Sequence, residues 1–171
     1  RALRMTHEAL ARGLKKHLGL EHEPVAVAPA ASVPAMVSGS IGAPTSACSL
    51  WRRAEKELFF ASAEDHAGCS VGAYVMGLPM SAPTAEGLGA ALKMMADVHY
   101  LGENEVPAVP SVQEKPLGVL YGPLKDFPGE PRCVVLWTTP AQAMLLSEAL
   151  GTAEWSVDRQ GGLRVPRRAT R

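Results

Sequence analysis

A chain of 171 residues, 47% of them hydrophobic, has enough apolar material for one core, which excludes extensive disorder. Its 17 basic and 17 acidic residues cancel, so the chain as a whole has no field that would gather nucleic acid or anionic lipid. Its apolar runs are far shorter than a membrane-spanning helix. These properties favour a small molecule, a cofactor or a protein as the partner.

The chain opens with a pattern typical of an amphipathic helix. Leu10 and Leu14 recur at helical spacing between Thr6, a helix-capping residue type, and Leu18. The short apolar run from Pro24 to Ala28 is suited to a buried strand. The proline-punctuated stretch that follows, as far as Pro44, predicts a loop.

A second helix is predicted to begin at Thr45 or Ser46 and to include Cys48 in its first turn. The residues from Leu58 to Ala61 favour an extended conformation. The segment from Gly68 to Gly77 contains too many glycines to be assigned to either type of structure.

The clearest long helix is predicted between Thr84 and Tyr100, because Leu88, Leu92 and Met95 fall on one face. Three prolines then interrupt regular structure until a second strand candidate, which runs from Leu117 to Tyr121.

The strongest strand candidate runs from Arg132 to Trp137, and its apolar neighbours predict that Cys133 is a packing residue. Thr139 and Gln142 have the spacing of a capping box, which predicts a helix that begins at Pro140. Gly151 is of the type that ends a helix.

Strands and helices that do not alternate strictly indicate the α+β class. We expect residues 1–151 to form a single compact domain, in which about four helices cover a small mixed or antiparallel sheet. An exposed apolar patch on this domain would indicate a homo-oligomer. The periodicity places these residues in one core: Leu14, Leu92, Val135 and Leu145.

The composition changes after Gly151. Residues 152–171 include five arginines and have little apolar periodicity, which is typical of a solvated basic tail. A nucleic-acid contact there is the less favoured interpretation.

Two of the three cysteines lie near a histidine in the first half of the chain. His66 and Cys69 are three residues apart, so a helical segment would place both on one face, and Cys48 could supply a third ligand. Thiolate and imidazole are natural ligands of zinc, iron and haem iron. The sequence therefore suggests a metal ion, an iron-sulfur cluster or a tetrapyrrole bound by Cys48, His66 and Cys69. Gly68 and Gly72 would let such a cofactor approach the backbone.

Two other interpretations remain open for the same residues. Cys69 is a candidate nucleophile of a small-molecule enzyme, with His66 as its base. Alternatively, the cysteines are inert packing residues of a scaffold protein. The odd cysteine count and the lack of a signal-peptide pattern favour a reducing compartment, which predicts a cytoplasmic protein.

In combination, these motifs resemble an uncharacterised prokaryotic family, domain of unknown function 169 (ArCR). The resemblance extends from about Leu10 to Leu150 and implies a compact α+β domain without implying a reaction. Family members continue with a Gly-Arg-Pro-x-Cys segment and a further glycine-rich cysteine motif, whereas this chain has Trp155 to Arg171. The resemblance thus implies that the C-terminal tail is altered. The residues that carry it are Pro24 to Val27, Cys48, Asp65, His66, Cys69, Gly72 and the run from Gln142 to Leu146.

Overall fold

A computed structural model describes residues 6–102, 111–150, 156–157 and 163–164. These residues form five α-helices, a four-stranded sheet and a separate two-stranded ladder. The helices are α1 (His7–Leu18), α2 (Ala47–Ala54), α3 (Ser70–Val75), α4 (Ala82–Asp97) and α5 (Pro140–Leu150). The strands are β1 (Val25–Ala30), β2 (Phe59–Ser62), β3 (Gly118–Pro123), β4 (Cys133–Val135), β5 (Ser156–Val157) and β6 (Leu163–Arg164).

The four-stranded sheet has the order β2-β3-β1-β4, and every neighbouring pair is antiparallel. Val27 in β1 lies opposite Tyr121 in β3 and opposite Cys133 in β4. Phe59 in β2 lies opposite Tyr121 from the other side. Residues that face each other across an antiparallel pair project from the same side of the sheet. These four side chains therefore share one face.

Each face of the sheet has its own apolar cluster. Val25, Val27 and Tyr121 belong to the cluster that includes α2 and α3 residues such as Leu50 and Ala73. The opposite cluster joins Ala26, Phe60 and Leu120 to Ala11 of α1 and to the 3₁₀ turn Leu124–Asp126. The sheet is thus packed between helices on both sides, which confirms the predicted α+β class.

Local capping signals correctly located two of the helices. The Thr6 hydroxyl accepts a hydrogen bond from the Ala9 amide at 3.2 Å at the start of α1. At α5, the Thr139 amide donates to Gln142 Oε1 at 2.8 Å, and the Gln142 amide donates to Thr139 Oγ1 at 3.3 Å. This reciprocal pair is the predicted capping box.

The predicted single core is wrong in part. Leu145 is 55% exposed, and Leu92 is only half-buried on a helix that has no buried residue. Leu14 and Val135 are half-buried and pack against different clusters on opposite faces of the sheet. Helical periodicity carries no information on how much of a helix another element covers.

The glycine-rich segment after residue 68 contains a further short helix, α3, which the composition left unassigned. Helix α4 packs against α3, and α5 is linked to α1 through a hydrogen bond of 3.0 Å from the Gln142 side-chain amide to the Gly19 carbonyl. No helix in the described ranges combines the length and the apolarity that crossing a bilayer requires.

In the tail, the described residues of β5 and β6 pair in antiparallel register, with Val157 opposite Leu163. The expected end of the last helix at Gly151 and the other residues of the predicted basic tail lie outside the described residues.

Candidate functional site

Asp65 is a buried carboxylate that joins two distant parts of the chain. It accepts hydrogen bonds from the Ser40 hydroxyl at 2.8 Å and the Ile41 amide at 3.1 Å. It also accepts from the Ser62 amide at 2.8 Å and the Ser62 hydroxyl at 2.9 Å. Burial raises the pKa of Asp65, but these donors outweigh it and hold the pKa below its ordinary value. The ionised carboxylate therefore fixes the loop before α2 against the end of β2.

His66 is completely buried beneath the sheet face that carries Tyr121. Its Nδ1 lies 2.7 Å from the Ser62 carbonyl oxygen, and its Nε2 lies 2.8 Å from the Tyr121 hydroxyl. Since a carbonyl can only accept, Nδ1 carries the proton and Nε2 accepts from the tyrosine.

The protonation of this pair follows from its burial. Burial lowers the pKa of His66 despite the opposing effects of the Ser62 carbonyl and the Asp65 charge. Burial also raises the pKa of the Tyr121 hydroxyl, with a smaller contribution from Cys133. Both groups are neutral near pH 7, which is the state that their mutual hydrogen bond requires.

These bonds occupy both ring nitrogens of His66. Neither bond is to the Cys69 thiol, although the Cys69 amide donates to the His66 carbonyl oxygen at 3.0 Å. The structure thus gives His66 a partner, Tyr121, that the sequence did not indicate. Among the described residues, no group of three or more His, Cys, Asp or Glu side chains is placed to hold a metal ion. The described residues therefore do not assemble Cys48, His66 and Cys69 into a three-ligand set.

Cys69 is the N-cap residue of α3, and its sulfur accepts a hydrogen bond from the Gly72 amide at 3.3 Å. A Cβ atom added to Gly72 would lie 3.2 Å from that sulfur and 3.3 Å from the Cβ of Ala47. Gly72 is therefore the point where the first turn of α3 meets the first residue of α2.

Gly68 makes a second contact between the same regions. A Cβ atom added there would lie 2.7 Å from the backbone carbonyl carbon of Thr45, just before α2. The Thr45 amide also donates to the Asp65 carbonyl oxygen at 2.8 Å. Both glycines that the sequence assigned to cofactor approach are in contact with protein, and they allow the N-terminal ends of α2 and α3 to touch.

Cys48 is exposed in the first turn of α2. Its sulfur lies 3.1 Å from the Ser46 hydroxyl, which lies 2.9 Å from the Ser49 hydroxyl. Cys69 is partly exposed on the adjoining end of α3. We call this region the thiol surface; it consists of Ser46, Cys48, Ser49 and Cys69.

Cys133 is exposed, so its predicted role as a packing residue is wrong. It begins β4, an edge strand, whereas the apolar sequence around it predicted a covered strand. Edge position depends on which strands pair across the whole chain, and the local pattern does not encode it.

Open clefts lie on other parts of the surface. Two neighbouring clefts of about 440 and 370 Å³ share Glu114 and Arg132 in their linings. A third, of about 530 Å³, lies between α1 and Lys125. Cys48, His66 and Cys69 line none of these three clefts.

Fold and site together define a small α+β domain that presents two free thiols where two helices meet. The chain belongs to the family described as uncharacterised ArCR, domain of unknown function 169, whose family model matches residues 13–158. This match confirms the predicted resemblance and extends eight residues past Leu150, where the resemblance was expected to end. Comparison with curated proteins gave no match, and comparison with solved structures gave none either.

Proposed function

We propose that the protein is a cofactor-binding module whose ligand is held at the thiol surface by Cys48 and Cys69. The observation that carries this proposal is the position of Gly72 between Ala47 and the Cys69 sulfur. This contact puts the two cysteine-bearing turns side by side. The proposal also includes a reducing, cytoplasmic setting, in which free thiols persist.

The chemistry of the donors favours a soft ligand. Thiolates bind zinc, iron-sulfur clusters and haem iron, and two protein thiolates leave further coordination positions for a small molecule or a second protein. His66 is a positioning residue in this proposal, because its nitrogens bond to Ser62 and Tyr121. Together with Asp65 it holds the turn from which Cys69 projects.

Two measurements test the proposal. Elemental analysis and an absorption spectrum of freshly purified protein would distinguish a metal, a cluster and a haem. Titration with Cd²⁺ would then report thiolate coordination through its ultraviolet charge-transfer band. We expect C48S and C69S each to remove most of this band, and C133S to retain it.

Cys133 provides the matched control because it is also a free, exposed thiol. Equal Cd²⁺ affinity in wild-type protein, C48S and C69S would refute the proposal. So would loss of the band in C133S alone.

A cysteine-dependent enzyme is the second candidate, and the hydrogen bond from the Gly72 amide to the Cys69 sulfur favours it. An amide donor at a thiol stabilises the reactive thiolate. Iodoacetamide labelling across pH, followed by peptide mass spectrometry, tests this candidate. Selective modification of Cys69 near neutral pH would support it, and equally slow modification of all three thiols would exclude it.

A further inference from the structure

Helix α4 is 16 residues long, yet none of its residues is buried. Its inner face packs against α3, where Gly87 lies close to the Ser70 side chain. Amphipathic helices derive most of their stability from packing, and few of them remain folded in water without it. The outer face of α4 therefore lacks the cover that a helix of this length and apolarity normally has.

Large apolar side chains add to this exposed surface. Met94, Val98 and Tyr100, on and just after α4, are 54%, 64% and 68% exposed. Val98 lies one turn beyond Met94, because its amide donates to the Met94 carbonyl oxygen at 3.1 Å, and neighbouring exposed apolar side chains are typical of an interaction surface.

The charges on the outer face indicate what covers it. Glu86 and Lys93 are both exposed and lie seven residues apart, which places them on one stripe of the helix. Gly89 and Ala90 lie midway between them and are also exposed. A Cβ atom added to Gly89 would have nothing within 4 Å, so the middle of the stripe is open.

This arrangement is complementary to itself. When two copies of α4 pack antiparallel about a two-fold axis at Gly89 and Ala90, Glu86 of each copy lies level with Lys93 of the other. A two-fold interface repeats every contact, so one attractive pair becomes two. The chain also has a formal net charge of zero, so the copies have no overall repulsion to overcome.

We infer that the outer face of α4 is a homodimer interface, with the two helices antiparallel and Glu86 paired with Lys93 across the two-fold axis. Helices cross closely where their residues are small, as at Gly89 and Ala90, and the exposed Met94 side chains are covered in the same interface. This inference is independent of the thiol surface, which lies on α2 and α3.

Charge exchange tests the pairing directly. Sedimentation equilibrium of the full chain should show a wild-type dimer. In E86K both partners present two lysines, and in K93E both present two glutamates, so two attractive contacts become repulsive. Each single variant should raise the dimer dissociation constant about ten-fold or more.

Two rescue experiments separate pairing from simple disruption. The double variant E86K/K93E restores opposite charges and should dimerise again. An equimolar mixture of E86K and K93E should form a heterodimer by native mass spectrometry, since each then supplies the charge that the other lacks. Circular dichroism checks the helix, because K93E also loses the exposed ion pair between Lys93 and Asp97.

K56E provides the control, because Lys56 is an exposed lysine on another part of the surface, and it should dimerise like wild type. A wild-type chain that stays monomeric at high micromolar concentration overturns the inference. So do single variants that dimerise as tightly as wild type, or a double variant and a mixture that both stay monomeric. Dimers that persist unchanged in all variants would show that the interface lies elsewhere, and this result would also overturn the inference.

Discussion

Asp65 and His66 are the buried polar residues of the described chain, and both are satisfied by hydrogen bonds. Leaving such a group without its partner costs more free energy than the bond itself contributes, because the group is also cut off from water. The Tyr121 hydroxyl is the partner of His66 Nε2. The stability of the domain should therefore be sensitive to single atoms at this position.

Replacing Tyr121 with phenylalanine tests this dependence. Y121F preserves the ring that stacks on Phe59 but leaves His66 Nε2 buried without a donor. We expect the free energy of unfolding to fall by about 1–3 kcal/mol, measured by urea denaturation. Y100F removes a hydroxyl from a residue that is 68% exposed and should have little effect. Equal stability of Y121F and wild type would show that the bond contributes nothing.

The acid sensitivity of the fold follows from His66 and Asp65. Because burial lowers the pKa of folded His66, the unfolded chain binds a proton more readily than the folded chain as pH falls through 6.5. Stability is present above that value and is lost below it. The lowered pKa of Asp65 acts in the same direction, but only below its ordinary value of 3.8.

Between about pH 7.5 and about pH 5.5, His66 should lower the free energy of unfolding, and a single titrating group can contribute at most about 1.4 kcal/mol over that interval. Urea denaturation at the two pH values measures this loss. The variant H66Q should lose less stability over the same interval, while H17Q, at an exposed histidine, should lose as much as wild type. A pH dependence in H66Q as steep as that of wild type would assign the effect to other groups.

The sequence located the important residues around His66 better than it assigned their roles. Asp65, His66 and Cys69 stand out as a motif, but the ring of His66 bonds to a tyrosine 55 positions away in the chain. No local pattern relates two such distant residues. Only the pairing of β2 with β3 brings them together.

At the scale of the elements, the contact between the start of α2 and the start of α3 depends on two glycines, Gly68 and Gly72. Gly68 lies against the Thr45 backbone, and Gly72 lies against Ala47. Backbone atoms cannot rotate away from an added methyl group as a flexible side chain can. A larger residue at position 68 should therefore fit only if one of the two helices moves.

The variant G68A measures this constraint. We expect a loss of about 1–3 kcal/mol in the free energy of unfolding, because the new Cβ would overlap Thr45. The same substitution at Gly13, in the middle of α1, meets nothing within 4 Å and should stabilise the protein by about 0.5–1 kcal/mol. Thermal denaturation compares the stability of the two variants. A G68A protein as stable as G13A would contradict the described contact between Gly68 and Thr45.

Helix starts were predictable where the signal is local. Thr6 and the pair Thr139 and Gln142 satisfy amides within three residues, so sequence spacing alone identifies them. Helix α3 also begins with a local contact, from the Gly72 amide to the Cys69 sulfur, but cysteine is not a residue type that usually caps helices, so the sequence did not indicate it. The exposure of Leu145 was likewise not predictable from the sequence, because periodicity does not show whether another element packs over the side chain.

At the scale of the whole molecule, the sheet depends on β3, the third strand in chain order. Strands β1 and β2 do not pair with each other; β3 lies between them and bonds to both. Phe59 therefore has no strand to pair with until β3 is in place, and the partners of Val27 lie in β3 and β4, which both come later in the chain. Such long-range pairing is slow to form and leaves the N-terminal half without a sheet of its own.

A fragment that ends at Val112 tests this dependence. It contains α1 to α4 but lacks β3, so we expect a collapsed or unfolded chain with little amide dispersion in its NMR spectrum. A second fragment that starts at Gln113 should restore native dispersion when the two are mixed. A natively folded first fragment would show that its helices do not require the sheet.

Strand β4 borders the sheet for three residues only, between Pro131 and Pro140. Proline has no amide hydrogen, and a three-residue border offers few groups to a strand from another molecule. The border is thus a poor template for fibril growth, even though its sequence is apolar. Concentrated solutions of this protein should accordingly stay free of amyloid-like aggregates seeded along this edge.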